Sequence, residues 1–391
     1  MLVSMTSLIR RELKALWNDP WQFALVTYIP ILGIISLWWL FSAGMPRQLP
    51  VAIVDHDQSQ LSRMLARRIQ ANPAAEPIGY QDIASAKRAM TQGEVYALVV
   101  LPYRLKRDLL TGHSPTIEIR YNSQFLLVGK LLSSQIQLSL ADGLLHVASK
   151  KQLALGVPKA QAEINLRPVT SQTTALYNSN SNYIGFLVPP VLLALGQLLA
   201  MLVFANSLNR ELRLNTMSEW FSLGTRRVLF AKMLVYTPLI LLQGRFILAI
   251  LYQFLNLPLA GDFGLLLVAQ VAMLLAVWLL VLVIFFLLQD CARVISFCTA
   301  LFAPAFPFMG ITFPTLDMPV LAQLWRKLMP SSHYIDTHVG VVSYGQGWDT
   351  LADQLINYWG FLFLIPVIIF LATRVKRAHL ADQSLSPEGA K

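Results

Sequence analysis

Residues that could carry chemistry are sparse, and their spacing excludes more than it permits. Nucleotide hydrolysis by the common machinery needs Gly-x-x-x-x-Gly-Lys-Ser/Thr, whose backbone N–H groups cradle phosphate while the hydroxyl holds Mg²⁺. The one Gly-Lys pair, Gly129-Lys130, is followed by Leu131, and no Gly-x-Gly-x-x-Gly dinucleotide fingerprint occurs. The six histidines form no His-Glu-x-x-His pair, and His333 and His338, five apart, fall off a common helical face. Cys291 and Cys298 lie near one predicted membrane helix, and seven residues of helix rise separate them by roughly 10 Å, too far for a disulfide. Asp55 and Asp57 close a predicted strand, where carboxylates more often cap local backbone than hold metal. These patterns predict no catalytic residue, no metal site and no cofactor bound by the chain. Arg245 stands apart, midway along an apolar run. An ionisable side chain inside a membrane marks a functional site by default. The alternative is an arginine satisfied by backbone carbonyls or by Gln197, Gln243 or Gln270.

Composition sets the elements that hold these residues. Of 391 residues, 55% are hydrophobic and 13% charged, against about 25% charged in ordinary soluble domains. With a mean hydropathy of +0.53, lipid is the main solvent. The net charge of +10 then reads as basic flanks meeting anionic headgroups, not as nucleic-acid binding. Backbone groups must pair internally in hydrocarbon, so spans are helices of about 20 residues. Six are predicted: Trp21–Ala43, Tyr183–Asn206, Leu234–Leu255, Gly264–Leu288, Val294–Phe313 and Leu355–Thr373. None contains Asp or Glu, the fourth has no charge at all, and Pro304 and Pro307 interrupt the fifth. Arg10, Arg11 and Lys14 precede the first span, Arg210, Arg213, Arg226, Arg227 and Lys232 follow the second, and Arg374, Lys376 and Arg377 follow the sixth. The positive-inside rule therefore predicts cytoplasmic termini and an external segment over 45–182.

The first span, taken as 21–44 with its flank, is too long for a cleaved signal peptide and predicts a signal anchor. Before it, residues 1–20 carry Met5, Leu8, Ile9, Leu13, Leu16 and Trp17 at helical spacing, predicting an amphipathic interfacial helix. Residues 376–391 read as a cytoplasmic tail, polar and disordered after Leu380. Segment 45–182 has the pattern of a folded α/β domain. PVAIVDHD, EVYALVVLP and TIEIRYN read as strands, QLSRMLARRIQA and DIASAKRAMTQG as helices, and Phe125–Leu155 as a long helix. The predicted fold class is an α-helical integral membrane protein of six transmembrane helices, with an α/β domain inserted between the first two.

The loop 207–233 contains RELRLNTMSEWFSLGTRRVLFAK, charged and helical in pattern. Its order of Glu211, Thr216-Met217-Ser218-Glu219, Gly224-Thr225 and Ala231-Lys232 resembles the cytoplasmic loop of type-2 ABC transporter permeases, in the branch with a large periplasmic domain. The usual element has Gly before that Thr, where this chain has Asn215. The resemblance covers nearly the whole chain, with spans 2–6 in 183–375. It implies that the loop couples to an ATP-binding cassette ATPase subunit through Glu211, Thr216, Glu219, Trp220, Gly224 and Lys232, with ATP and Mg²⁺ used by that subunit. The reading without it is a basic loop obeying topology. The proline-interrupted segment 314–354 is similar to the family's external re-entrant helices. The resemblance further implies a second permease chain, identical or related, a periplasmic membrane-fusion adaptor, a bacterial inner membrane and export of a small amphipathic molecule. The second and fifth spans would line the pathway, giving Phe186, Gln197, Phe297, Phe302 and Phe306 as pathway candidates beside Arg245; plain packing is the alternative for each. An ion-coupled secondary transporter is the rival, but it usually needs intramembrane carboxylates and often repeated halves. A receptor or assembly factor acting through its external domain would need only one span.

Overall fold

Pro20 and Asp19 set the first break in the chain. In the computed structural model, which describes residues 4–41, 47–167, 176–177 and 183–385, the N-terminal segment forms α1 (Met5–Asn18), α2 (Pro20–Val26) and α3 (Tyr28–Phe41). Asp19 Oδ1 accepts the N–H groups of Trp21 and Gln22, capping α2, and Pro20 takes the first helical position, where no N–H is needed. The sequence predicts one continuous span over Trp21–Ala43. Instead α2 and α3 meet at a 42° bend. Pro30 supplies no N–H to the Val26 carbonyl four residues earlier, and Gln243 Nε2 donates to that carbonyl instead. Ala43 lies outside the described residues.

Two compact units make up the chain: Met1–Ser42 with Ala175–Lys391, and Ala43–Thr174. The second is an α/β unit. Its four strands, β1 (Leu49–Asp55), β2 (Ala75–Tyr80), β3 (Ala97–Leu101) and β4 (Glu118–Tyr121), lie in the order β2-β1-β3-β4. The first three are parallel and β4 is antiparallel to β3. β2 escapes the sequence pattern because it is an edge strand carrying Pro77 and Gly79, residues that weaken strand propensity. The helices are α4 (Gln60–Gln70), α5 (Ile83–Thr91), α6 (Leu105–Thr111), α7 (Leu126–Ala154) and α8 (Lys159–Leu166). Alternation along β1 and β3 sends Val51, Ile53, Val99 and Leu101 to Leu65 and Ile69 of α4 and Leu132 and Ile136 of α7. Ala52, Val54, Leu98 and Val100 pack against α5 on the other face. Asp55 accepts the N–H groups of Asp57 and Gln58 and the Ser62 hydroxyl, so it caps the turn.

The rest of the first unit is helical: α9 (Tyr183–Arg213), α10 (Met217–Leu223), α11 (Thr225–Ala249), α12 (Phe263–Leu288), α13 (Cys291–Phe302), α14 (Ala305–Phe308), α15 (Val320–Leu328), α16 (Pro330–Tyr344), α17 (Leu351–Leu355), α18 (Trp359–Leu362) and α19 (Leu364–Leu385). Among the described residues, five helical stretches are long and apolar enough to cross a membrane, or six if the bent pair α2–α3 is one span. The charge-free α12 packs against α9, α13, α16 and α19, as its all-round hydrophobicity requires. The helix at the fifth predicted span ends at Phe308, not Phe313, and breaks between α13 and α14 at Pro304. α9 runs seven residues past the predicted Asn206, and α11 begins at Thr225. The predicted loop 207–233 therefore shortens to Leu214–Gly224, with α10 inside it. α19 continues through Leu380 to Leu385, and Asn182 and the residues after 385 lie outside the described residues.

Candidate functional site

The C-terminal turns of α9 carry the densest polar cluster among the described residues. α1 buries Leu8 and Glu12 on one stripe, four residues apart. α11 presents Lys232 and Tyr236, again four apart, and both are fully buried. α9 supplies Ser207, Arg210 and Glu211. Lys232 Nζ donates to Glu12 Oε2 at 3.2 Å, Glu211 Oε1 at 3.0 Å and the Ser207 carbonyl at 2.8 Å, which uses all three ammonium donors. Arg210 Nη2 donates to Glu12 Oε2 at 2.7 Å and Glu211 Oε1 at 3.3 Å. Arg11 Nη2 donates to Glu211 Oε2 at 2.9 Å, and Thr216 Oγ1 donates to the same oxygen at 2.5 Å. The Tyr236 hydroxyl reaches Glu12 Oε2 at 3.5 Å. Two carboxylates and three cations are thus shared among α1, α9 and α11, with Thr216 tying in the start of α10. Buried charges are tolerable only when paired and hydrogen-bonded in this way.

A second tier fixes the α1–α2 junction to α9. Asp19 Oδ2 accepts from Asn206 Nδ2 and Arg213 Nη2, each at 3.2 Å. Asn206 Nδ2 also donates to Gln22 Oε1 at 2.6 Å, and Gln22 Nε2 donates to the Val203 carbonyl at 3.0 Å. Partial burial pulls the Asp19 carboxyl upward, but the bonds from Gln22, Asn206 and Arg213 outweigh it and hold it below its ordinary value.

α10 lies over this cluster. Asn215, which ends α9, has φ of +52°. That left-handed conformation suits Gly and, next best, Asn. Asn215 therefore meets the same backbone demand as the glycine usual at that place. Gly224, with φ of +94°, makes the turn into α11. Trp220 is fully buried and its ring lies about 6 Å from those of Phe221, Phe285 and Phe286. Ser218, Glu219 and Ser222 are exposed, as are Arg226 and Arg227. Of the residues predicted to couple, Glu211, Thr216, Trp220 and Lys232 hold the loop in place from inside, Gly224 shapes it, and Glu219 faces outward.

The pathway candidates do not converge on one surface of the chain. Phe186 edges a cavity near the start of α9. Gln197 is buried and its Oε1 accepts the Ser331 N–H at 2.6 Å, fastening the start of α16. Phe302 lies in the core, Phe297 is exposed and Phe306 is partly buried. Arg245 is exposed on α11, while its neighbour Gly244 packs directly against Gln270. Sequence reasoning missed Glu12, Arg11, Arg210 and Tyr236 as members of the cluster. The available signal was Glu12 itself, an acid on the apolar stripe between Leu8 and Leu16.

Residues 20–375 match the ABC-2 family transporter protein family. The chain is also similar to ABC transporter G family member 20 of Dictyostelium discoideum, with 22% identity over 344 residues, covering 86% of this chain and 45% of the relative. The chain therefore spans less than half the length of that relative.

Proposed function

The chain belongs to the ABC-2 family of transporter proteins, and on that premise we propose that it is the membrane permease subunit of an ATP-binding cassette exporter, driven by ATP hydrolysed with Mg²⁺ on a separate subunit. In this reading both termini lie in the cytoplasm, residues 45–182 form a periplasmic domain, and six spans cross a bacterial inner membrane. Two permease chains, identical or related, enclose the pathway. A periplasmic membrane-fusion adaptor carries the cargo onward, and the cargo is a small amphipathic molecule.

The observation that carries this reading is the buried charge cluster beneath α10. The ATPase subunit docks on the exposed face of α10, at Glu219 and its neighbours. A push there meets a rigid body. Trp220 is wedged against α12, Thr216 is bonded to Glu211, and Glu211 with Glu12 joins α9, α11 and α1. The displacement therefore passes into spans instead of dissipating in a loop. Arg245 supports the second chain or an aqueous pathway on its face of α11, because an arginine left in hydrocarbon costs about 2.5–3.5 kcal/mol.

Coexpression with the cognate ATPase subunit tests the reading. The pair should copurify and show cargo-stimulated ATP hydrolysis. Glu219→Lys should abolish the stimulation and reduce export while leaving the unfolding temperature unchanged. Normal export in that variant would remove the docking role. Uphill transport by the purified chain alone would end the permease reading altogether.

A further inference from the structure

A cavity of about 560 Å³ opens between the first turns of α9, the π-helical turn Ile250–Phe254 that follows α11, and α16. Its volume lies in the range of small-molecule sites. The wall is largely apolar, with Phe186, Pro189 and Pro190 on one side and Val339 and Val342 on the other. Among the described residues that line it, none is charged. An ionised guest would leave water without a counter-charge, at heavy cost.

The polar side chains in the wall are Tyr177, Tyr252, Asn256, His338 and Ser343, and backbone carbonyls add to them. Pro189 and Pro190 both lie inside α9. Neither offers an N–H, so the carbonyls of Gly185 and Phe186, four residues earlier, lose their helical donors at the cavity wall. Gly185 and Phe186 are exposed in the first turn of α9, so these freed carbonyls are open to a donor that enters the cavity. Opposite them, the Tyr252 hydroxyl and His338 Nε2 are hydrogen-bonded at 2.6 Å, and both residues line the cavity. Either tautomer leaves this pair one further donor and one further acceptor. Burial lowers the His338 pKa to about 4, so the ring is neutral at cellular pH.

We propose that this cavity binds an uncharged, mainly apolar molecule bearing a hydroxyl group, and that the exported cargo is drawn from this class. The hydroxyl donates to a proline-freed carbonyl of α9 and engages the Tyr252–His338 pair, while the apolar body fills the space along Val339 and Val342. The binding site stands on the cavity alone; the cargo assignment rests on the permease reading.

The test is photolabelling of the full-length chain in lipid nanodiscs. The probes are a diazirine-bearing dodecanol and its carboxylate and trimethylammonium analogues. The alcohol should label residues of the cavity wall at least about tenfold more than either charged probe. Val339→Trp and Val342→Phe each fill the space and should cut the alcohol's labelling by about tenfold; the comparison uses whichever variant keeps the native size-exclusion profile. Equal labelling by the three probes, or labelling indifferent to the filled cavity, overturns the site. A second arm uses the complex with its ATPase subunit, where unmodified dodecanol should stimulate hydrolysis. Stimulation by a charged compound but not by the alcohol overturns the cargo assignment and leaves the permease reading intact. Cavity labelling without stimulation by any compound overturns the permease reading and leaves the site standing.

Discussion

Glu12→Gln removes one negative charge from a cluster that is nearly closed to water. Glu12 Oε2 lies 2.7 Å from Arg210 and 3.2 Å from Lys232, and its side chain is 1% exposed. The cluster's two carboxylates face three cations, a net charge of +1, which the substitution raises to +2. At an effective dielectric of about 20, each close pair attracts by about 4 kcal/mol, offset in part by the desolvation of its ions. Glutamine keeps one oxygen for a donor but leaves Arg210 and Lys232 with only the Glu211 carboxylate between them. Breaking a buried pair from one side costs about 3–5 kcal/mol, and folding stability should fall by about that amount. Unfolding in mixed micelles titrated with SDS measures it. Lys232→Met alone brings the cluster to neutrality, and the double variant restores the wild-type net charge. The double variant should therefore be less destabilised than the sum of its parts, with an interaction of about 1–3 kcal/mol. Glu118→Gln, a change in an exposed acid outside the cluster, is the control and should be silent. An unperturbed Glu12→Gln, or a strictly additive double variant, would refute the claim that these charges act as one buried unit.

Backbone geometry and packing give further tests. Asn215→Gly should leave stability within about 0.5 kcal/mol of wild type, whereas Asn215→Val, which cannot adopt φ of +52° cheaply, should cost about 1–3 kcal/mol; thermal unfolding of the two variants compares them. Gly261→Ala should lower abundance in the membrane, since a Cβ there would stand 2.8 Å from the backbone carbonyl oxygens of Val341 and Gln346, while Gly196→Ala, with nothing within 4 Å, should be neutral. Arg245→Ala should impair export more than it lowers protein level, read by transport normalised to an immunoblot; equal losses in both would make the arginine purely structural.

Much of the architecture follows from local properties of the chain. An apolar run such as Phe263–Leu288 must be a helix in lipid wherever it sits, because only a helix satisfies its backbone from within. The compact apolar runs VAIV and ALVV of the second unit likewise mark two strands buried on both faces without reference to any partner. β2 was not legible, because its pairing to β1 is set by the sheet while Pro77 and Gly79 argue locally against it. The bend between α2 and α3 was half legible: Pro30 announces a lost donor, but only the packed bundle brings Gln243 to replace it.

For the candidate site, the sequence by itself determined a charged, helix-patterned loop; that Asn215 takes a left-handed backbone and that Glu219 faces outward came from the structure. Tertiary structure alone decided that Glu211, Trp220 and Lys232 point inward and that Glu12 is their partner. Glu12 and Arg210 are 198 residues apart, and Glu12 and Lys232 are 220 apart. Length and periodicity are properties of a segment. A desolvated charge is stable only where packing delivers its counter-charge, and that meeting belongs to no segment by itself.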